Sequence, residues 1–246
     1  MKKVITAMLI AGMILSFASC ANNNEETTTE ATTTEATTTE ATTTEATTTE
    51  TTTENIGGEE VANMDAKAAL EGLFDEFHNQ LAPAFGVESG AEIKGAFVGM
   101  DMETITETDS ETGEEFTFEM PKAAPSMIDL TAEENHLYMT YFPAEQAEKL
   151  DSAAFFMSMM NANVGGTYAA FEVKNAADVQ GIADALKDAL ANNMWMCGMP
   201  EGFYIAEVNG VVFSAFASAD GLNAFKAAVA ATYETVNVLY DEALGF

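Results

Sequence analysis

The side chains with the most reactive chemistry fall in two places. Cys197 lies in the run Met194-Trp195-Met196-Cys197-Gly198-Met199-Pro200, next to three thioethers. A thiolate nucleophile needs a neighbouring base or cation to lower its pKa. No such residue stands near Cys197, and the two histidines, His78 and His136, are remote in sequence. Soft sulfur ligands would suit Cu(I), yet the chain holds fifteen methionines, and methionine fills irregular cores. The run reads as packed sulfur, with neither nucleophile nor copper site. The second place is acidic: Asp101, Glu103, Glu107, Asp109, Glu111, Glu114 and Glu115. Oxygen-rich loops bind calcium, but the Gly and the closing Glu of a twelve-residue calcium loop fall at the wrong positions here. A solvated acidic hairpin is the expectation. Hydrolysis by paired carboxylates needs two acids at a set separation, and forty acids nominate no pair. Gly-x-Ser-x-Gly, His-Glu-x-x-His, Walker and Gly-x-Gly-x-x-Gly motifs are missing. The sequence therefore predicts no catalytic, cofactor-binding or metal-binding residue, and a protein that is not an enzyme.

Cys20 has a different chemistry. Met1-Lys2-Lys3 precedes an uncharged run from 4 to 17 and then Ala18-Ser19-Cys20. A basic start, a short apolar stretch and small residues before a cut compose a secretory signal. The apolar run is shorter than the about 20 residues that span a bilayer. Its end resembles the bacterial lipobox, in which the cysteine is lipidated and becomes the mature N-terminus, although Phe17 stands where leucine is preferred. The expectation is a signal peptide over 1–19 and a lipid on Cys20 that holds the chain at the outer face of the bacterial cytoplasmic membrane. Acyl chains contribute roughly 0.8 kcal/mol per buried methylene, so two or three anchor durably.

Charge narrows the partners. The chain has nine lysines, no arginine and forty acids, for a net charge of −31. Such a surface is repelled by nucleic-acid phosphates and anionic lipid heads, and it lacks the guanidinium fork for phosphate. Nucleic acid is excluded as a partner. A cell-wall or protein partner, besides the membrane itself, is expected.

The elements that position these residues begin after a spacer. Residues 20–60 carry the Ala-Thr-Thr-Thr-Glu repeat, with Ile56 as the one large aliphatic beyond Cys20. Such a segment cannot bury enough apolar surface to offset backbone ordering, and it is expected to be a disordered acidic tether. It would span about 35 Å as a coil and up to ~130 Å when drawn out.

Residues 61–246 carry the apolar content of one globular domain. Leu70, Leu73, Phe74 and Phe77 predict a helix over 64–81, closed by Pro83. A strand is expected over 93–100, and then the acidic hairpin with Thr112-Gly113 at its turn. Thr131-Ala132-Glu133-Glu134 reads as a capping box that starts a short helix bearing Leu137, Tyr138 and Tyr141. Strands follow over 152–160 and 167–173, then a helix over 176–193. Asn209-Gly210 between two apolar runs marks a hairpin with a type I′ turn. A last helix is expected over 221–244, on the stripe Phe225, Val229, Tyr233, Val236 and Tyr240. The class is α+β: an antiparallel sheet built from hairpins, with helices packed on one face.

The stretch from Ile128-Asp129-Leu130-Thr131 through Tyr141-Phe142 to Asn161 resembles a segment of a lipoprotein family of Gram-positive bacteria, domain of unknown function 4358. Thr167 to Lys174, the helix after it, and Phe203 to Phe216 resemble that family's remaining strands. The likeness covers residues 128–230, makes 128–246 a family-like core and leaves 61–127 as an N-terminal helix and acidic hairpin region. It departs at Phe142-Pro143, where the family has a Gly-Ile pair. The resemblance implies a surface address and a fold, with no assigned activity.

Three functions compete. The first is a non-catalytic binding or interaction module at the cell surface. The second is a small-molecule receptor with Tyr168, Trp195, Phe203 and Tyr204 lining an apolar pocket. The third is an unrecognised wall-directed hydrolase.

Overall fold

Successive side chains of a strand point to opposite faces, yet Ala153, Ala154, Phe155 and Phe156 are all buried. The same holds for Tyr168 to Phe171 and for every residue from Val211 to Ala217. A sheet that is apolar on both sides needs a layer on each. The computed structural model describes residues 64–132, 136–158, 165–193 and 200–245, and it has that layered form. The central strands are β5 (Leu150–Ser158), β6 (Gly166–Val173), β7 (Gly202–Val208) and β8 (Val211–Ala217). They run antiparallel in the order β5-β6-β8-β7, and β9 (Asn237–Ala243) closes the far edge against β7.

One face of the sheet presents Phe156, Tyr168, Ala170, Tyr204, Phe213 and Ala215 to α1 (Ala66–Leu81) and α3 (Ala219–Thr232). The apolar stripe of α1 is Leu70, Leu73, Phe74, Phe77 and Leu81, all buried. Each such side chain contributes about 1.5–3 kcal/mol on burial, so packing rather than propensity holds the helix. Phe77 is its centre, with ring contacts to Phe97, Phe156, Tyr168 and Phe225. Asp65 caps α1 by accepting from the Lys67 and Ala68 amides. Ser152 ties the helix start to the sheet by accepting from the Ala66 amide and donating to Glu172.

The other face presents Ala153, Phe155, Ala169, Phe171, Phe203, Ile205 and Val212 to α2 (Val179–Ala191) and to the turns around Leu137 and Phe142. The α+β class and antiparallel sheet stand, but helices cover both faces instead of one. The physical reason is the double-sided apolar content of the strands themselves. A strut fixes α2 to β9: Lys187 pairs with Glu242 at 2.6 Å and lies over the Tyr240 ring, whose hydroxyl donates to Asp184.

Other expectations are corrected. The last helix ends at Thr232, and its predicted second half is β9. Residues 233–240 are rich in β-branched and aromatic types that favour strand, and from Asn237 onward the edge of β7 supplies main-chain partners. Tyr233 leaves the helix with its hydroxyl donating to the Ala69 carbonyl. The strand over 93–100 shrinks to β1 (Phe97–Val98) behind two short 3₁₀ turns. Residues 136–140 form a 3₁₀ turn rather than an α-helix; the Glu133 and Glu134 part of the expected capping box lies outside the described residues. The Asn209-Gly210 turn has φ of 49° and 81°, as a type I′ turn requires.

Candidate functional site: the acidic hairpin

The free side of β5 is covered by two very short strands instead of one. In β1, Phe97 and Val98 pair with Ser158 and Met157; in β4 (Ser126–Met127), the two residues pair with Phe155 and Ala154. Both run antiparallel to β5, so they lie end to end along one edge. A single residue would bridge the gap, opposite Phe156. The chain instead departs after Val98 and returns at Ser126, and the residues between form the hairpin of β2 (Met102–Thr108) and β3 (Glu115–Pro121). The hairpin is an insertion into an edge strand.

Its base is cinched by Ser126, which is fully buried. The Ser126 Oγ accepts from the amides of Met100 and Asp101, both at 2.8 Å. The Lys122 amide donates to the Asp101 carbonyl at 2.7 Å, and the Gly99 amide to the Lys122 carbonyl. Gly99 must be glycine, because a Cβ there would collide with Ser126. Beyond this base the hairpin leaves the body. Neither hydrophobic cluster contains a residue from 99 to 125.

The two faces of the hairpin differ. Register pairs Ile105 with Phe118, Glu107 with Phe116 and Glu103 with Met120 on one face. The opposite face carries Met102, Thr104, Thr106, Thr108, Glu115, Thr117, Glu119 and Pro121. Phe116 and Phe118 stack at 5.9 Å, and Phe116 remains 48% exposed. Of the seven exposed large apolar side chains among the described residues, Met100, Met102 and Phe116 belong to the insertion and Met127 adjoins it. Exposed apolar side chains concentrated on one ribbon, Phe116 toward its tip on one face and Met102 at its base on the other, make it the candidate interaction site.

Asp109 shapes the turn. Its carboxylate accepts from the amides of Glu111 and Thr112 at 2.8 and 2.7 Å. The Thr112 amide, then that of Glu111, hold its pKa below the usual carboxylate range. Thr104 donates to Glu119 across the strands. Among the described residues no three Asp, Glu, His or Cys side chains gather as metal ligands, the hairpin acids included. The hairpin is acidic and solvated, in line with its sequence.

The remaining candidates do not converge on another site. Tyr168 and Tyr204 point to the α1 face and Phe203 to the α2 face, so they cannot line one pocket. Trp195 and Cys197, like Cys20, lie outside the described residues. His78 is buried among Phe74, Phe77 and Phe97, and its Nδ1 bonds the Phe74 carbonyl at 2.5 Å. Burial pushes its pKa down to about 4, so the ring is neutral and packed. His136 opens the 3₁₀ turn beside exposed Tyr138. Sequence reasoning missed Ser126, whose role depends on a contact with residues 25 and 26 positions earlier. It also missed the apolar ladder, although the alternation in Phe116-Thr117-Phe118 signals it.

No helix among the described residues is long and apolar enough to cross a membrane. No protein-family model, curated protein or solved structure matches the chain.

Proposed function

We propose that this chain is a membrane-anchored extracytoplasmic lipoprotein whose domain is a non-catalytic binding module, with the β2–β3 hairpin as its contact surface. The observation that carries the reading is the hairpin itself: a two-stranded ribbon that completes no core, yet displays Phe116, Met102 and Met100 to solvent. An isolated ribbon is marginal in water, so its exposed apolar side chains are best explained by what they meet. The address rests on Lys2, Lys3, the apolar run and Cys20. The repeat over 20–60 then acts as a spacer that lifts the domain into the wall layer. The resemblance to domain of unknown function 4358 fits this address and is proposed with it.

Two experiments test the reading. Cys20→Ser should move the protein out of the membrane fraction without unfolding the domain. A photoreactive residue at position 116 should give a specific cross-link on intact cells. A mutant that stays fully membrane-bound would refute the anchor. Cross-linking no stronger from 116 than from exposed Val238 on the far edge would refute the contact surface.

A further inference from the structure

We propose that the outer edge of β3 is a docking edge for an extended cationic segment of a partner protein, alternating lysine or arginine with apolar residues. The proposal rests on the binding-module reading and names what that module takes.

The main chain sets the edge. The Asp109 amide donates to the Glu114 carbonyl at 2.8 Å, and the Lys122 amide to the Asp101 carbonyl. In an antiparallel pair every second residue turns its N–H and C=O toward the partner strand. These two bonds therefore assign 116, 118 and 120 to the inward series. Glu115, Thr117 and Glu119 turn theirs outward, to an edge with no strand beside it among the described residues. Pro121 continues the outward series, where a missing N–H costs no ladder bond. An added strand would end there.

Side chains set the chemistry. Along this edge Phe116, Phe118 and Met120 lie on one face, with Glu115 and Glu119 on the other. An alternating segment would lay an apolar side chain beside each ring and a cation beside each carboxylate. Cross-strand pairs of both kinds contribute about 0.2–1 kcal/mol each, and main-chain bonds add to them. From 101 to 121 there are eight acids and no lysine, arginine or histidine. The β9 edge of the larger sheet is different, because Asp241 and Glu242 are already paired with Lys226 and Lys187. Among the described residues Glu115 and Glu119 have no lysine partner. A second copy of the chain would oppose carboxylate to carboxylate, which destabilises a strand pair.

The test uses the full chain and a capped peptide of alternating lysine and valine, matched to the seven residues of β3. Fluorescence anisotropy should show binding, and hydrogen exchange should slow at Thr117 and Glu119. Methylating alternate peptide amides on the pairing edge leaves the protein untouched and should weaken binding about tenfold or more. Glu115→Lys with Glu119→Lys should weaken it by a similar factor, with the hairpin amides still dispersed. No binding by the alternating peptide would overturn the proposal. So would equal binding by the methylated peptide, or by a block peptide of the same composition, since either would reduce the effect to net charge. If residue 116 still cross-links a specific partner on cells while the peptide fails, the binding-module reading survives and the cationic-strand proposal falls.

Discussion

The chain folds two hairpins from strands of equal length, β2–β3 and β7–β8, seven residues each. Both turn through a glycine in the left-handed region, Gly113 at φ 75° and Gly210 at φ 81°. Their surroundings could hardly differ more. In β7–β8 every strand residue except Glu207 is buried, because helices cover both faces. In β2–β3 no residue is fully buried, and the only layer is the ribbon itself. Alternation and turn chemistry make a hairpin, while adjacent layers decide whether it supports the fold. The β7–β8 hairpin is structure; the β2–β3 hairpin is surface held out by a structure that does not need it.

The largest effect that separates them is a matched truncation. Phe213→Ala in β8 removes a fully buried ring and is expected to cost about 3–5 kcal/mol. Phe116→Ala in β3 should change global stability by no more than about 0.5 kcal/mol. Chemical denaturation followed by far-UV circular dichroism reads both, and comparable losses would erase the distinction.

Acid should act on the body next. His78 stays neutral in the folded state down to about 4, against 6.5 for an ordinary imidazole, because burial disfavours its charged form. Between those values the unfolded chain binds a proton that the folded chain refuses, so stability falls as pH drops from about 6.5 to 4. The loss attributable to His78 is roughly 3 kcal/mol. His78→Leu should flatten that part of the profile, which denaturation at pH 7 and pH 4 would reveal. In the hairpin, Asp109 has the same sense of linkage, over a more acidic range. Its lowered pKa supports the turn above the usual carboxylate range and gives way as pH falls through the folded value. The Glu111 and Thr112 amide shifts should report that change.

A smaller effect addresses the joint between the two regions. Ser126→Ala leaves the Met100 and Asp101 amides without their acceptor, at a cost of about 1–3 kcal/mol. Amide exchange should accelerate over 100–125 and remain slow in β6 and β8. Uniform acceleration would show that the joint and the body open together.

Much of this was legible in the sequence, and the exceptions have physical causes. The helix of Leu70 to Phe77, the acidic hairpin and the Asn209-Gly210 turn follow from local periodicity and turn residues. The continuous apolar run Ala153 to Met157 and the run Val211 to Ala217, broken only by Ser214, also carried the signal for a sheet covered on both faces, which alternation alone would not give. Tyr233 to Tyr240 misled because Phe225, Val229, Tyr233, Val236 and Tyr240 fit a helical stripe by spacing, while their residue types favour a strand. The edge of β7 decided between them. The split edge of β1 and β4 was out of reach, since two strands of two residues acquire meaning only when β5 lies beside both.

If the hairpin is an insertion, excision tests it most directly. Deleting residues 100–125 joins Gly99 to Ser126, which places glycine opposite Phe156 and makes 97–99 and 126–127 one continuous edge strand. This shortened chain should fold cooperatively, with a thermal midpoint within a few degrees of the parent, corresponding to about 1 kcal/mol or less. A chain that fails to fold, or that loses most of its stability, would show that the hairpin belongs to the core and contradict its assignment as a displayed surface.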